Sequence, residues 1–337
     1  MNNKRRDMDN KRANMNNKRV IIAGLINVET TVKVHGFPIP YFPIDFTTDG
    51  ISTGISGVGY NLARAFQKLG DQVAILSYTG EDEEGHRIEH ELGKHGIDTK
   101  GIKKELKKTP QSLILYDLDG RRQCYCDLKD IQEHTYQVED IIEEFAQADL
   151  LCACNINFSR PLLQEAKKRN ICIATDVHVI GDIEDEYNKE FMEAADILFL
   201  SDENISDSKE EFMIRLKNRY SCKIIIMGLG KEGALLYSRE NDELIRIGAV
   251  TTRNVINTVG AGDSLFSSFL HCYIKGMSAI DSLKYAITFA SYKIGDNGGA
   301  VGFLTEEELF SLSKQLTYDI KGVKVDYETS KENCSNT

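Results

Sequence analysis

No apolar run in this chain approaches the roughly 18–20 residues that a membrane-spanning helix requires. Partition into a bilayer as a helical membrane protein is therefore not expected. Disorder is excluded from the other side: 41% of the 337 residues are hydrophobic and 28% charged, enough for a sizeable core. Positive charge is also short, with 41 Lys+Arg against 52 Asp+Glu and a net charge of −11. The shortage is uneven. Residues 1–19 carry seven basic residues and two acidic ones, and without them the body stands at about −16. An acidic body argues against binding a nucleic-acid backbone. A polyanionic ligand would need a locally positive site, from a metal ion or a helix N-terminus. No secretory signal is visible, so a cytoplasmic protein is expected, with reduced thiols for its eight cysteines. Two C-x-C pairs, Cys124/Cys126 and Cys152/Cys154, lack the C-x2-C spacing and matching His/Cys pair of a zinc site. There are no internal repeats.

What is present is an alternation of strands and helices. Residues 1–18 read as a disordered basic tail, with Met15 as an alternative start of translation, and residues 326–337 as a loose C-terminal tail. Between them, short apolar strands at 19–23, 72–77, 149–154, 171–176, 196–201 and 222–228 alternate with helices at 59–69, 139–147, 161–169, 184–194 and 207–217. This predicts one α/β domain over 19–325: a doubly wound, mostly parallel sheet with helices on both faces. Two stretches break the rhythm. Residues 27–55 are rich in β-branched and aromatic residues, and 111–126 read as a hairpin turning at Asp119-Gly120. They predict a small accessory β-sheet from segments about 27–55 and 108–128. A second hairpin is predicted over 234–248, and a helix over 280–296 from the stripe Ile280, Leu283, Ile287, Ala290 and Ile294.

The segment with the most chemical content is Asn257-Thr258-Val259-Gly260-Ala261-Gly262-Asp263-Ser264, followed by a helical pattern. Small residues let a ligand approach the backbone, and a helix opening there aims free N–H groups at an anion. Asp263 in the first turn is placed to take a proton from an alcohol attacking phosphorus. It is equally an ordinary favourable first-turn residue. The segment resembles the D-T-x-G-A-G-D signature of the ribokinase family, also called the PfkB family of carbohydrate and nucleoside kinases. The resemblance implies Asp263 as catalytic base and the Gly260, Ala261 and Gly262 amides as an anion hole. The signature's first Asp, which in relatives helps hold a monovalent cation, is Asn257 here, and potassium dependence is thereby put in question.

Further segments follow in family order, from about residue 19 to 318. Ser56-Gly57-Val58-Gly59-Tyr60-Asn61 resembles G-G-x-x-x-N, which implies Gly57 and Asn61 at the acceptor. Asn27-Val28-Glu29 stands where relatives have N-x-D, implying Asn27 and Glu29 as hydroxyl-binding groups. Asn155, after strand 149–154, falls where a substrate-contacting acid is common. Gly228-Leu229-Gly230-Lys231-Glu232-Gly233 is a bare G-x-G-x-x-G, but a hairpin rather than a helix follows, which opposes a dinucleotide fingerprint. It is similar to the family's segment bordering ATP. With Thr258 and the Asn297–Ala300 loop, it implies Gly228, Gly230, Gly233, Thr258, Gly299 and Ala300 around the nucleotide. No Walker A motif occurs, which argues against a P-loop kinase. The family's N-x-x-E, linked to Mg²⁺, is degraded to Ser201-Asp202-Glu203-Asn204, leaving Asp202 or Glu203 as the metal carboxylate. Asp176 matches the first residue of a D-x-N segment, with His178 in place of Asn.

The resemblance thus implies a kinase using ATP and Mg²⁺ on a small-molecule hydroxyl, with the small sheet as a lid and a homodimer formed through it. Val58 stands where some relatives acting on phosphorylated sugars have Lys, which favours an unphosphorylated sugar acceptor. Tyr60, Phe37, Tyr41 and Phe42 serve either as lid core or as a stacking surface for a nucleoside base. Two readings from other classes stay open: a nucleotide-dependent oxidoreductase, and a catalytically silent sugar- or nucleotide-binding regulator.

Overall fold

A computed structural model of the protein describes residues 18–117, 121–206 and 208–323. Both predicted tails lie outside these residues, save Lys18 of the N-terminal one, as does the Asp119-Gly120 turn. Among these residues fourteen strands form two sheets. The large one contains β1 (Arg19–Ala23), β4 (Gln72–Gly80), β5 (Ile102–Leu106), β8 (Leu150–Ala153), β9 (Cys172–Val179), β10 (Ile197–Ser201), β11 (Ile224–Gly228), β12 (Ala234–Ser238), β13 (Glu243–Ile247) and β14 (Ile320–Gly322). Its spatial order is β14-β13-β12-β11-β10-β9-β8-β1-β4-β5. From β5 to β11 all neighbours are parallel; β12, β13 and β14 add an antiparallel margin. The chain runs from β1 to β4 on one side and later returns as β8 on the other. The C-terminal ends of β1 and β8 therefore flank a topological switch point, where open α/β sheets bind ligands.

Alternation along each strand sends side chains into two cores. Ile21, Leu151, Leu198 and Ile225 pack with Phe145, Leu162, Phe191 and Phe212, whereas Val20, Leu150, Ile197 and Ile224 pack with Phe66, Leu92, Phe269 and Leu283. The first set belongs to α3 (Ile142–Ala146), α4 (Arg160–Lys168), α5 (Lys189–Ala194) and α6 (Lys209–Arg219). The second belongs to α1 (Val58–Leu69), α2 (Glu83–Lys94), α7 (Ala261–Ile274) and α8 (Ala279–Lys293). A ninth helix, α9 (Glu306–Ser313), closes the end of α8. The doubly wound expectation holds. Where strand and helix meet most closely, Gly24 and Gly59 touch backbone to backbone: a Cβ on Gly59 would stand 2.6 Å from the Gly24 carbonyl oxygen. Glycine there lets α1 dock its N-terminal turn directly onto the end of β1.

The small sheet is separate, in the order β3-β2-β6-β7, from β2 (Asn27–Lys33), β3 (Ile51–Ser56), β6 (Gln111–Tyr116) and β7 (Arg122–Asp127). Register sets its two faces. Glu29 stands opposite Gly54 and Ser112, and Ser112 opposite Cys126; these look inward with Asn27, Thr31, Ile114 and Cys124. Thr30, Leu113 and Tyr125 form the neighbouring outward row.

Several expectations change in detail. The helix predicted over 184–194 is α5, beginning only at Lys189, because Asp182 and Asp185 bond the N–H groups of Glu184 and Asn188 and hold local turns instead. The 139–147 helix opens as a 3-10 turn, Val138–Ile141, before α3. Residues 34–50 form no strand, so Tyr41, Phe42 and Phe46 are exposed rather than part of a lid core. Strand β14 carries no alternation and was not foreseen.

Candidate active site

Helix α7 brings its N-terminal turn against that of α1. Gly260 caps it in the left-handed region (φ 76°) with no side-chain capping bond, so the first-turn N–H groups are not claimed by a Ser, Thr or Asp side chain. The expectation for the three amides needs one correction. The Ala261 N–H turns back to the Thr258 carbonyl (3.1 Å), leaving Gly260 and Gly262 as the free candidates of the trio.

Asp263 occupies the first turn and is half-buried. Asn61, on α1, donates to its Oδ2 at 2.7 Å. Thus two residues 202 positions apart in sequence meet across α1 and α7. Gly57 caps α1, and the Asn61 N–H bonds the Gly57 carbonyl at 2.9 Å. Burial pushes the Asp263 carboxyl above the ordinary aspartate range. The Asn61 hydrogen bond opposes that shift, nearby Asp176 adds to it, and His178 and Lys293 oppose it through their charge.

The inward face of the small sheet supplies the opposite wall. Asn27, Glu29 and Asn61 are all buried. Asn27 Nδ2 donates to Ser112 Oγ (2.5 Å), which donates to Cys126 Sγ (3.6 Å). Burial raises the Glu29 carboxyl; Ser56 opposes this, Asp263 adds repulsion, and Lys293 and Arg122 favour the charge. Glu29 and Asp263 are therefore electrostatic neighbours although one comes from the small sheet and the other from the first turn of α7. The side-chain oxygens Asn27 Oδ1 and Asn61 Oδ1 are buried and meet no hydrogen-bond donor among the described residues. Buried acceptors are ordinarily satisfied, so these two are left with capacity to accept a hydrogen bond.

Gly299 packs between the two halves. A Cβ there would meet the Asn61 amide at 2.9 Å and Ser56 Oγ at 3.0 Å. Asn257 is buried, and its amide is spent on the loop itself: Oδ1 accepts from the Val259 N–H and Nδ2 donates to Asn297 Oδ1, both at 2.8 Å. It brings no charge to a cation. Thr258 is half-buried beside it, and Ala300 is buried in the core.

The 228–233 segment forms a single 3-10 turn, Gly230–Glu232, from β11 into antiparallel β12. No helix opens there, which removes the dinucleotide-fingerprint reading behind an oxidoreductase. Gly228, Gly230 and Gly233 line this turn at the C-terminal end of β11.

Other predicted residues have partners of their own. Asn155 bonds Asn188 (2.9 Å), and its carbonyl accepts from the Tyr187 hydroxyl. Asp202 is ion-paired with Lys209, and Glu203 with Arg122 (3.3 Å). No cluster of three His, Cys, Asp or Glu side chains able to hold a metal forms among the described residues. Sequence reasoning missed Arg122 and Cys124, which sit within electrostatic reach of Glu29. Their period-two spacing with Cys126 was the available signal. It also left Asp176 without a role, yet this buried carboxylate neighbours Asp263 and accepts from the His178 N–H at 2.8 Å. The seven cysteines among the described residues are free thiols. No helix of those residues is long and apolar enough to cross a membrane.

Comparison with known proteins gives the family. Residues 17–306 match the pfkB family of carbohydrate kinases. An ATP-dependent 6-phosphofructokinase of Thermoanaerobacterium thermosaccharolyticum is 24% identical over 302 residues, covering 83% of this chain and 89% of that protein. An acarbose 7(IV)-phosphotransferase of an Actinoplanes species is 23% identical over 275 residues, covering 81% and 91%. The solved structure of a microbiome-derived acarbose kinase superposes with a TM-score of 0.79 at 22% identity, covering 88% of this chain and 99% of that one. The chain belongs to the pfkB family of carbohydrate kinases and is an ATP-dependent phosphotransferase acting on an alcohol group of a sugar or nucleoside.

Proposed function

We propose that this kinase transfers the γ-phosphate of ATP to a primary hydroxyl of an unphosphorylated sugar. The observation that carries the reading is the Asn61–Asp263 pair at the N-terminus of α7, together with the unsatisfied acceptor oxygens of Asn27 and Asn61. A sugar supplies the missing donors through its hydroxyls, and Glu29 accepts another. Asp263 takes the proton of the attacking hydroxyl, and its raised pKa makes it a better base than an ordinary aspartate. The helix N-terminus, with the Gly260 and Gly262 amides, receives the charge of the phosphoryl group in transfer. The small sheet acts as the lid that excludes water. The nucleotide lies against the Gly228–Gly233 turn and the Asn297–Ala300 loop. Beside that loop the apolar side chains of Val255, Ile256 and Val301 remain exposed, a surface suited to adenine.

Magnesium fits as an ion carried by the nucleotide rather than by a protein cage. Asp202 and Glu203 each already hold a cationic partner, and phosphate oxygens with water satisfy such an ion's octahedral demand. When bound it would neutralise phosphate charge. We place no potassium at Asn257.

The sugar reading stands ahead of the nucleoside one on a specific observation. Tyr60, a candidate for stacking on a base, is 4% exposed and packs in the core. Relatives named for acarbose phosphorylation support a carbohydrate acceptor. An ATP-consumption screen over sugars and nucleosides, with and without Mg²⁺, tests this. We expect the highest kcat/KM on a sugar bearing a free CH2OH. Preference for a nucleoside would replace the acceptor; tight ligand binding without any turnover would favour the regulator reading.

The outer face of the small sheet exposes Ile51, Leu113 and Tyr125, and the 34–50 loop adds Ile39, Tyr41, Phe42, Ile44 and Phe46. An apolar patch of this kind fits a homodimer formed lid to lid. Sedimentation equilibrium is expected to show a dimer that the double substitution Leu113→Arg, Tyr125→Arg converts to monomer. A monomeric wild type removes this part of the proposal.

A further inference from the structure

Lys293 ends α8, and its side chain is completely buried. It forms no salt bridge among the described residues. Its ammonium instead donates to the backbone carbonyl of Val259, immediately before Gly260. A buried ammonium without an ion-pair partner is costly and needs a reason. The Val259 peptide groups are gripped on both sides: Asn257 Oδ1 takes the N–H at 2.8 Å, and Lys293 takes the carbonyl. Together these two contacts fix the turn that sets Gly260 and the start of α7.

The electrostatics are consistent with a working charge. Burial pushes the Lys293 ammonium down to about 8, while Asp263, Glu29 and Asp296 favour its charged form and Arg253 opposes it. It stays mostly protonated at neutral pH. Position 257, where the resemblance implied a carboxylate paired with a monovalent ion, is an amide. The positive charge on this turn comes from a covalently attached group instead.

We propose that the Lys293 ammonium is the built-in cation of the anion-hole turn, a positioning residue that does the work of a monovalent metal ion, so that phosphoryl transfer by this chain needs none. The proposal rests on the site reading above, in which Gly260–Asp263 receive the phosphoryl group.

The test uses the full chain with MgATP and the acceptor from the screen, in choline chloride against potassium, sodium or ammonium chloride at equal ionic strength. Wild-type kcat is expected to differ by less than about twofold across these salts, while Lys293→Met loses about tenfold or more in kcat with acceptor KM little changed. Lys293→Ala, which leaves room for an ion, should regain part of its rate with ammonium or potassium but not with choline. A wild-type rate that rises about tenfold with potassium overturns the proposal, as does a folded Lys293→Met with wild-type kcat. Where neither variant folds, the wild-type salt series decides alone. Failure of the kinase reading looks different: no calorimetric binding of a non-hydrolysable ATP analogue and no turnover in any salt. The melting temperature then carries the test. Potassium, compared with choline, should stabilise Lys293→Ala and leave wild type unchanged; stabilisation of the wild type to the same degree refutes the built-in cation.

Discussion

Replacing Asp263 by Asn is expected to lower kcat by about two to four orders of magnitude, the range over which a positioned general base contributes. Affinity for ATP should change little. The substitution is nearly isosteric, and the amide oxygen of Asn can still accept from Asn61 Nδ2, so the α1–α7 contact survives. What is lost is the only function an amide lacks, taking the proton from the attacking hydroxyl. Steady-state kinetics on the acceptor and calorimetry with the ATP analogue separate the two effects; near wild-type turnover would remove Asp263 as the base. The pH profile adds a sign. Burial raises the Asp263 carboxyl above 3.8, so kcat/KM in the wild type should rise with pH along a limb lying above the ordinary aspartate value. Asn61 donates to the ionised form and so holds the pKa down. Asn61→Ala should therefore shift the limb to higher pH. A limb that stays in place would show that Asn61 does not act on this carboxylate.

The folding pattern was legible because it rests on local chemistry. Buried parallel strands such as Ile197–Leu200 are apolar throughout, and the helices between them repeat at helical spacing, so sequence order gave a doubly wound sheet. The α7 segment was legible for a related reason: a run of small residues before an apolar helix has few physical uses. What could not be read was anything set by distance in the chain. The Asn61–Asp263 contact joins residues 202 apart, and the Lys293–Val259 contact joins residues 34 apart through a turn. Neither has a local pattern. Lys293 in particular reads in sequence as an ordinary favourable cation at a helix C-terminus. Its burial depends on α8 packing against α7. The aromatics of 34–50 failed for the opposite reason. Their composition suggested a core, yet no strand pairing holds that stretch against the small sheet, and hydrophobic composition alone does not say which surface is covered.

Acidity of the body takes on a specific meaning at this site. Glu29, Asp176 and Asp263 bring three carboxylates near a site that, on the proposed reading, must also admit a polyphosphate. Each raises the proton affinity of a neighbour, which suits proton acceptance but opposes anion entry. The buried Lys293 ammonium opposes this from behind the α7 terminus, joined by Arg122 at Glu29 and His178 at Asp263.

The second large effect is expected at Gly260, and it separates two glycines of one motif. Gly260 holds a φ of 76°, and a Cβ there would fall on the Gly299 carbonyl and stand 3.0 Å from the Gly299 Cα. Both obstacles are backbone and cannot rotate away. Gly260→Ala should therefore lose about 2–4 kcal/mol of stability, combining left-handed strain with displacement of the 297–300 loop. Relief by movement of Gly299 presses on the Asn61 amide and Ser56, its neighbours on the other side. The same shift thus disturbs the anion-hole turn and the acceptor wall together, and a misplacement of this size can cost about 100-fold in kcat. Gly262 is the control. A Cβ at Gly262 meets nothing within 4 Å, and its φ lies outside the positive region. Gly262→Ala should unfold at the wild-type denaturant midpoint while its kcat falls, because on the proposed reading the added methyl group stands where the phosphoryl oxygens approach the amide. Denaturant unfolding and kinetics on the two variants give the comparison. Equal midpoints for both would show that the Gly260–Gly299 contact does not constrain the turn; loss of stability with unchanged kcat in Gly260→Ala would detach that contact from catalysis.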